Sequence, residues 1–232
     1  MRILLSLLAL LLALPAAALD LVPTTLQLPA EGGHDELWLY NPGPHRWQGQ
    51  VRILAWEQQI DAEELRASDQ VLASPTRLDI PPGTRQRIWL LPRQPTPVAA
   101  EQAYRVVLAP SPPGLPRYSL PLFRSKPGPS AQPRLHAWTE FKPSQPSLRL
   151  SNTGTLHARL QDLTFVANDG RRTVLLPGLA GYVLAGRERH WALPARADGY
   201  IDGHFQARLP DGRMIDLTAP DPAIAASEPS GL

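Results

Sequence analysis

Breaker residues set the first limit on this chain: 27 prolines and 16 glycines are spread through its 232 residues. Proline lacks an amide hydrogen and has a fixed φ, so it ends helices, and glycine weakens them. Such dense punctuation favours short strands joined by turns over long helices. The hydrophobic fraction, 43%, is enough for packed cores and argues against end-to-end disorder. Cysteine is absent, which removes disulfide scaffolds, thiol nucleophiles and thiolate metal sites together. The formal charge of +2, from 23 cationic and 21 anionic side chains, gives no basis for a nucleic-acid partner.

The start of the chain has the pattern of an export leader. Met1 and Arg2 give a cationic end, Ile3 to Leu14 is apolar except for Ser6, and Pro15-Ala16-Ala17-Ala18 supplies small residues for cleavage. Residues 1–18 are therefore expected to be a signal peptide, with the mature chain starting at Leu19. An uncleaved anchor would need about 20 apolar residues, and Pro15 comes too soon. The expected location is the periplasm, with no stable membrane insertion after cleavage.

Two β-rich halves follow. In residues 19–124 the strand-like runs are Leu21–Leu28, Glu36–Tyr40, Gln50–Trp56, Gln70–Ile80, Thr84–Leu91, Ala103–Leu108 and Tyr118–Phe123. Turn clusters such as Asn41-Pro42-Gly43-Pro44 and Pro81-Pro82-Gly83 separate them. Apolar residues recur at every second place within several runs, which suits one buried face of a sheet. About seven short strands over roughly 100 residues is the count of an immunoglobulin-like sandwich. The segment Asp61 to Ala67 reads as one short helical turn.

Residues 125–133, with Pro127, Pro129 and Pro133, read as a semi-rigid linker. Residues 134–218 repeat the strand pattern at Leu148–Leu150, Leu156–Val166, Thr173–Leu176, Tyr182–Leu184, His190–Leu193, Tyr200–Arg208 and Met214–Leu217. The fold class is thus all-β, two sandwiches in series. Residues 219–232, rich in Ala, Pro and Ser, read as a disordered tail.

The first half resembles the N-terminal domain of the periplasmic pilus chaperones of the chaperone–usher pathway, the PapD-like family, including its archaic branch. Leu26-Gln27-Leu28-Pro29-Ala30, Leu37-Trp38-Leu39-Tyr40-Asn41-Pro42-Gly43 and Val51-Arg52-Ile53-Leu54-Ala55-Trp56-Glu57-Gln58 carry the likeness. Ala73-Ser74-Pro75, Glu101-Gln102-Ala103-Tyr104-Arg105 and Tyr118-Ser119-Leu120-Pro121-Leu122-Phe123 continue it in order. In the second half, Ser151-Asn152-Thr153-Gly154 and Gly181-Tyr182-Val183-Leu184-Ala185-Gly186 resemble the family's second domain.

The resemblance implies a chaperone that lends a strand to an incomplete pilin-like subunit and passes the complex to an outer-membrane usher. It places subunit binding at Thr25, Arg117, Tyr118, Leu120, Leu122 and Arg124. The family's carboxylate-anchoring Arg falls at Thr25 and its Lys at Pro121 or Leu122, which leaves Arg117, Arg124 and Lys126 as the nearby cations. The resemblance also implies an interdomain salt bridge: Glu101 with Arg124 or Lys126, and Asp198 or Asp202 as a third member.

No catalytic or metal-binding constellation competes. His34-Asp35-Glu36 would point to alternate faces of a strand and reads as a polar hairpin tip. The other five histidines are scattered, and there is no Gly-x-Ser-x-Gly elbow or phosphate loop. An enzyme and a cofactor are not expected. A carbohydrate-binding or adhesion module is the rival reading, because six tryptophans could stack on sugars. Core positions are the plainer expectation for Trp38, Trp47, Trp56 and Trp89, whereas Trp138 and Trp191 fit either role.

Overall fold

A computed structural model of the chain describes residues 18–94, 98, 100–125, 128, 131–142 and 145–217. The expected leader and tail lie outside the described residues, except for Ala18, as does part of the linker. Every regular element among the described residues is a strand.

The first half contains β1 (Asp20–Val22), β2 (Leu26–Pro29), β3 (Asp35–Tyr40), β4 (Trp47–Gln59) and β5 (Ala62–Ala67). It continues with β6 (Val71–Ser74), β7 (Arg77–Ile80), β8 (Arg85–Pro92), β9 (Gln102–Pro110) and β10 (Tyr118–Ser125). One sheet runs β1-β3-β8-β6, and the facing sheet runs β2-β10-β9-β4-β5 with β7 also on β4. Alternation in the sequence becomes alternation of burial. Along β4, Trp47, Val51 and Ile53 turn inward while Gln48, Gln50 and Arg52 face water. Gly49 shares the inward parity, and a Cβ there would meet the Trp47 ring at 2.4 Å and the Ala109 carbonyl at 2.5 Å. Only glycine lets β4 and β9 close over that indole.

Two of the expected single strands are broken where a proline interrupts them. Leu21–Leu28 divides at Pro23 into β1, paired with β3, and β2, paired with β10. Gln70–Ile80 divides at Pro75 into β6, paired with β8, and β7, paired with β4. Each proline moves the chain from one sheet to the other, since it cannot donate to a continuing ladder. The helical turn expected at Asp61–Ala67 is instead β5. Ala, Glu, Leu and Arg favour a helix, but the far end of β4 offers unpaired backbone that this segment fills, with Trp56 opposite Leu65 and Gln58 opposite Glu63.

The second half contains β11 (Leu135–Lys142), β12 (Gln145–Asn152), β13 (Ala158–Ala167), β14 (Arg172–Val183), β15 (Glu188–Ala192), β16 (Gly203–Arg208) and β17 (Met214–Leu217). Sheets β11-β12-β15 and β14-β13-β16-β17 face each other across Leu148, Leu150, Leu160, Phe165, Val183 and Ala207. The chain is therefore two β-sandwiches. Strand β11 was not among the expected runs, and the run Thr173–Leu176 and the start of the run Tyr182–Leu184 belong to one long strand, β14.

A separate apolar cluster joins the two halves: Trp56 from β4, Phe123 from β10, Tyr182 from the end of β14, and Leu184 just after it. The Trp56 and Tyr182 rings meet edge to face at 5.5 Å, and the Arg105 guanidinium lies 3.7 Å over the Trp56 ring. Burial pulls the Arg105 pKa below its ordinary value, with nearby Glu63 acting the other way. Gln58, two residues along the same face of β4, is the polar counterpart of the cluster. Its Nε2 donates to the Tyr182 carbonyl at 2.9 Å, and its Oε1 accepts from Leu184 N at 2.8 Å. The residue is 4% exposed, so water cannot easily replace either bond. Leaving a buried N–H and C=O unpaired costs roughly 1–3 kcal/mol each. Gln58→Ala is therefore expected to destabilise the chain by about 2–4 kcal/mol. Calorimetry should show one unfolding transition dividing into two, as the halves lose their coupling.

Candidate functional site

Strand β10 is the last strand of the first sandwich, and its two sides are treated differently. Along one side it pairs with β9 for most of its length, from Tyr118 opposite Leu108 to Arg124 opposite Gln102. Along the other side β2 runs parallel to it, but only from Leu122 opposite Leu26 to Ser125 opposite Pro29. Tyr118 to Pro121 has no strand on that side among the described residues.

Backbone parity fixes what this open margin presents. Ala30 N donates to the Ser125 carbonyl at 3.1 Å, so the polar groups of Ser125 point toward β2. Alternate residues of a strand direct their N–H and C=O to the same side, so Phe123, Pro121 and Ser119 also point away from β9. Pro121 has no N–H. Its missing donor thus falls on the margin, costs the β9 ladder nothing, and gives β2 nothing to extend onto. The register of Leu26 opposite Leu122 directs the Leu26 N–H to the Pro121 carbonyl, and Pro121 is buried, so what remains exposed to a partner is the N–H and carbonyl of Ser119.

The side chains of this strand are less available than the sequence reading expected. Leu120 is 5% exposed and Leu122 is fully buried, both within the first sandwich's own core, so neither is free to enter a partner. Tyr118 packs on the same core, and its Oη accepts from Leu19 N at 2.5 Å. Arg124 is 3% exposed and donates to the Ala30 carbonyl at 3.0 Å and the Gln94 carbonyl at 2.9 Å, which ties the β2 end to the loop after β8. The cause is alternation: Tyr118, Leu120, Leu122 and Arg124 share the inward parity. Thr25 and Arg117 differ. Thr25 is half-buried, one place before the Leu26–Leu122 register begins, and so lies where the open margin starts. Arg117 is exposed at the other end, in a loop (residues 111–117) that also exposes Leu115.

Among the described residues, Glu101 of the expected interdomain bridge meets His157 and not Arg124; Lys126, the other expected partner, lies outside the described residues. Glu101 Oε2 accepts from His157 N at 2.5 Å and from His157 Nδ1 at 2.9 Å, and the carboxylate is almost fully buried. The His157 ring also stacks on Phe123, with centroids 3.5 Å apart and planes within 8°. Arg124 turns inward toward the two carbonyls instead, and Asp198, exposed at a turn of the second sandwich, is bound there by both ends of the Arg196 guanidinium and by Tyr200 N. Those bonds, the Arg196 contact foremost, hold the Asp198 carboxyl well below the usual range. Further cross-domain contacts are His190 with Asp61, Arg187 with Glu57 at 2.7 Å, and Arg189 with Glu63. Sequence reasoning missed His157 and Gln58. Gln58 shares the parity of Trp56 on β4, which is the only trace the sequence carries of its role; the scattered His157 carries none.

The tryptophans divide by face. Trp47, Trp56 and Trp191 are buried, while Trp38 is 41% exposed on the outer face of the β1-β3-β8-β6 sheet, contrary to its expected core position. The Arg87 guanidinium occupies the space over Trp38 and Trp89, at 5.2 and 4.1 Å from the ring centroids. His34 packs edge-on against Trp89, and Asp35 accepts from Gln27 N, so the His34-Asp35-Glu36 stretch is engaged in local structure. Among the described residues, no three carboxylates or histidines converge as they would around a metal ion.

No family model and no curated protein matches the sequence. Solved structures do match. The chain resembles one in the CsuC–CsuE chaperone–tip adhesion subunit pre-assembly complex from the archaic chaperone–usher Csu pili of Acinetobacter baumannii, at 22% identity and a TM-score of 0.73. That match spans 88% of this chain and 100% of the other. It also resembles the CupB2 chaperone of Pseudomonas aeruginosa, at 15% identity, TM-score 0.57, and coverage of 85% and 97%. For the E. coli chaperone DraB the values are 13%, 0.58, and 88% and 98%. With its two sandwiches and the strand that links them, the chain has the fold of the chaperone–usher pilus chaperones.

Proposed function

We propose that this protein is a periplasmic chaperone that binds pilin-like subunits along the open margin of β10 and delivers them to an outer-membrane usher. The observation that carries this reading is the half-covered strand: Ser119 offers its backbone groups to a partner while β9 already holds the strand in place. A subunit lacking one strand of its own sandwich has the complementary defect, an unpaired edge beside an open core. Main-chain bonding across such edges supplies affinity without chemistry, so the role is stoichiometric and not enzymatic. Thr25 and Arg117 flank the margin at its two ends and are the groups placed to meet a subunit carboxylate; Arg117 supplies the charge and Thr25 one hydroxyl donor. Leu115, exposed in the preceding loop, is the aliphatic side chain placed to reach the subunit's core. Residues 1–18 serve as the export leader in this reading.

Co-expression with a pilin-like subunit and recovery of the complex tests it. Ser119 is exposed, and Ser119→Pro removes the margin's only N–H while leaving the β9 ladder intact. The variant should keep its far-UV circular dichroism and bind subunit about five- to tenfold more weakly, the worth of roughly 1–1.5 kcal/mol for one hydrogen bond. Undiminished binding would remove β10 as the docking edge. Leu122→Glu, by contrast, puts a charge into a closed core and should cost more than about 3 kcal/mol, seen as lost folding in a urea titration and not as selective loss of binding.

A further inference from the structure

Two independent observations meet at Leu19. In the sequence, the small-residue run Pro15-Ala16-Ala17-Ala18 ends there. In the structure, the first buried residue among those described follows the same peptide bond: Ala18 is exposed, while Leu19 is 5% exposed and belongs to the first sandwich's core. The nitrogen of Leu19 donates to Tyr118 Oη at 2.5 Å, ninety-nine residues away at the head of β10's open margin. Trimming one residue further would delete a buried leucine and this donor. Stopping one residue earlier would put the exposed Ala18 at the terminus and keep the Leu19 nitrogen a neutral amide.

We propose that Tyr118 is the seat of the mature amino terminus. The inference rests on the reading of residues 1–18 as an export leader. Hydrolysis of the Ala18–Leu19 amide by a leader peptidase consumes one water, leaves the carboxylate on Ala18, and frees an amine on Leu19 that is protonated at neutral pH. A neutral N–H donor to the Tyr118 hydroxyl thereby becomes an ammonium, whose charge-assisted hydrogen bond is roughly twice as strong. Processing then fastens the start of β1 to the strand that meets the subunit. Tyr118 acts as a positioning residue for the terminus, its hydroxyl oxygen serving as the acceptor for the Leu19 nitrogen.

The test begins with intact-mass measurement of the protein recovered from the periplasm, expected to start at Leu19. Two purified forms are then melted: one starting at Leu19, and one carrying an extra Gly-Ser before it. The Leu19 form should melt about 2–4 °C higher, the usual shift for a chain of this size on gaining one such interaction. Tyr118→Phe should abolish that difference while both forms keep their circular dichroism. A purely structural tyrosine would lower both forms equally and leave the difference in place, which would overturn the proposal. Equal melting of the two forms with Tyr118 intact would overturn it as well, and decides the matter even if Tyr118→Phe fails to fold. Protein retained in the cytoplasm with residues 1–18 attached would sink the leader reading itself, whereas exported protein starting elsewhere would sink only the seat.

Discussion

Everything distinctive about this fold follows from one strand that must satisfy two neighbours and is given only one and a half. Strand β10 is fixed by β9 on one side, and β2 covers its other side only as far as Leu122. The stop is chemical. Pro121 has no N–H on the side where a longer β2 would bond, and Pro23 has already turned the preceding chain toward the other sheet. An edge that ends at a proline is a controlled one: it offers a short stretch of pairing capacity without becoming a long aggregation template.

The same strand also mediates the angle between the sandwiches. Its inward residues, Leu120 and Leu122, close the first core, while Phe123 on the other face joins Trp56 and Tyr182 in the cluster between the halves. His157 stacks on Phe123 and binds Glu101, so a contact with β10 is shared by both sandwiches. The buried Gln58 bonds matter more to rigidity than the exposed pairs. Arg187 and Glu57 are both about half-exposed, and solvent discounts such pairs to about 1 kcal/mol or less.

Much of this was legible in the sequence. Alternation in Val51 to Trp56 and turn clusters such as Pro81-Pro82-Gly83 announce the first sandwich directly. The sequence misleads where tertiary pairing overrides local preference: Ala62–Ala67 has helix-forming composition but completes a hairpin with β4. Strand β11 escaped notice because after Leu135 its core-facing parity continues with the small Ala137 and the polar Thr139, a weak apolar rhythm beside a proline-rich stretch. Of the candidate site, the strand was found and its side-chain roles were not. A sequence shows that Leu120 and Leu122 share a face but not which side of the sheet that face covers. The bridge residue Glu101 was found by resemblance, whereas its partner, a lone histidine, has no sequence signature.

The account's central claim concerns one backbone amide. Residue-resolved hydrogen exchange on the free protein should find the Ser119 N–H exchanging nearly unprotected while the Leu120 N–H, which points to β9, is slow. Addition of a pilin-like subunit should then slow Ser119 by at least tenfold, in line with a newly formed inter-strand bond. A Ser119 amide already protected in the free chain, or one indifferent to the subunit, would mean that the margin of β10 is not where this protein meets its partner.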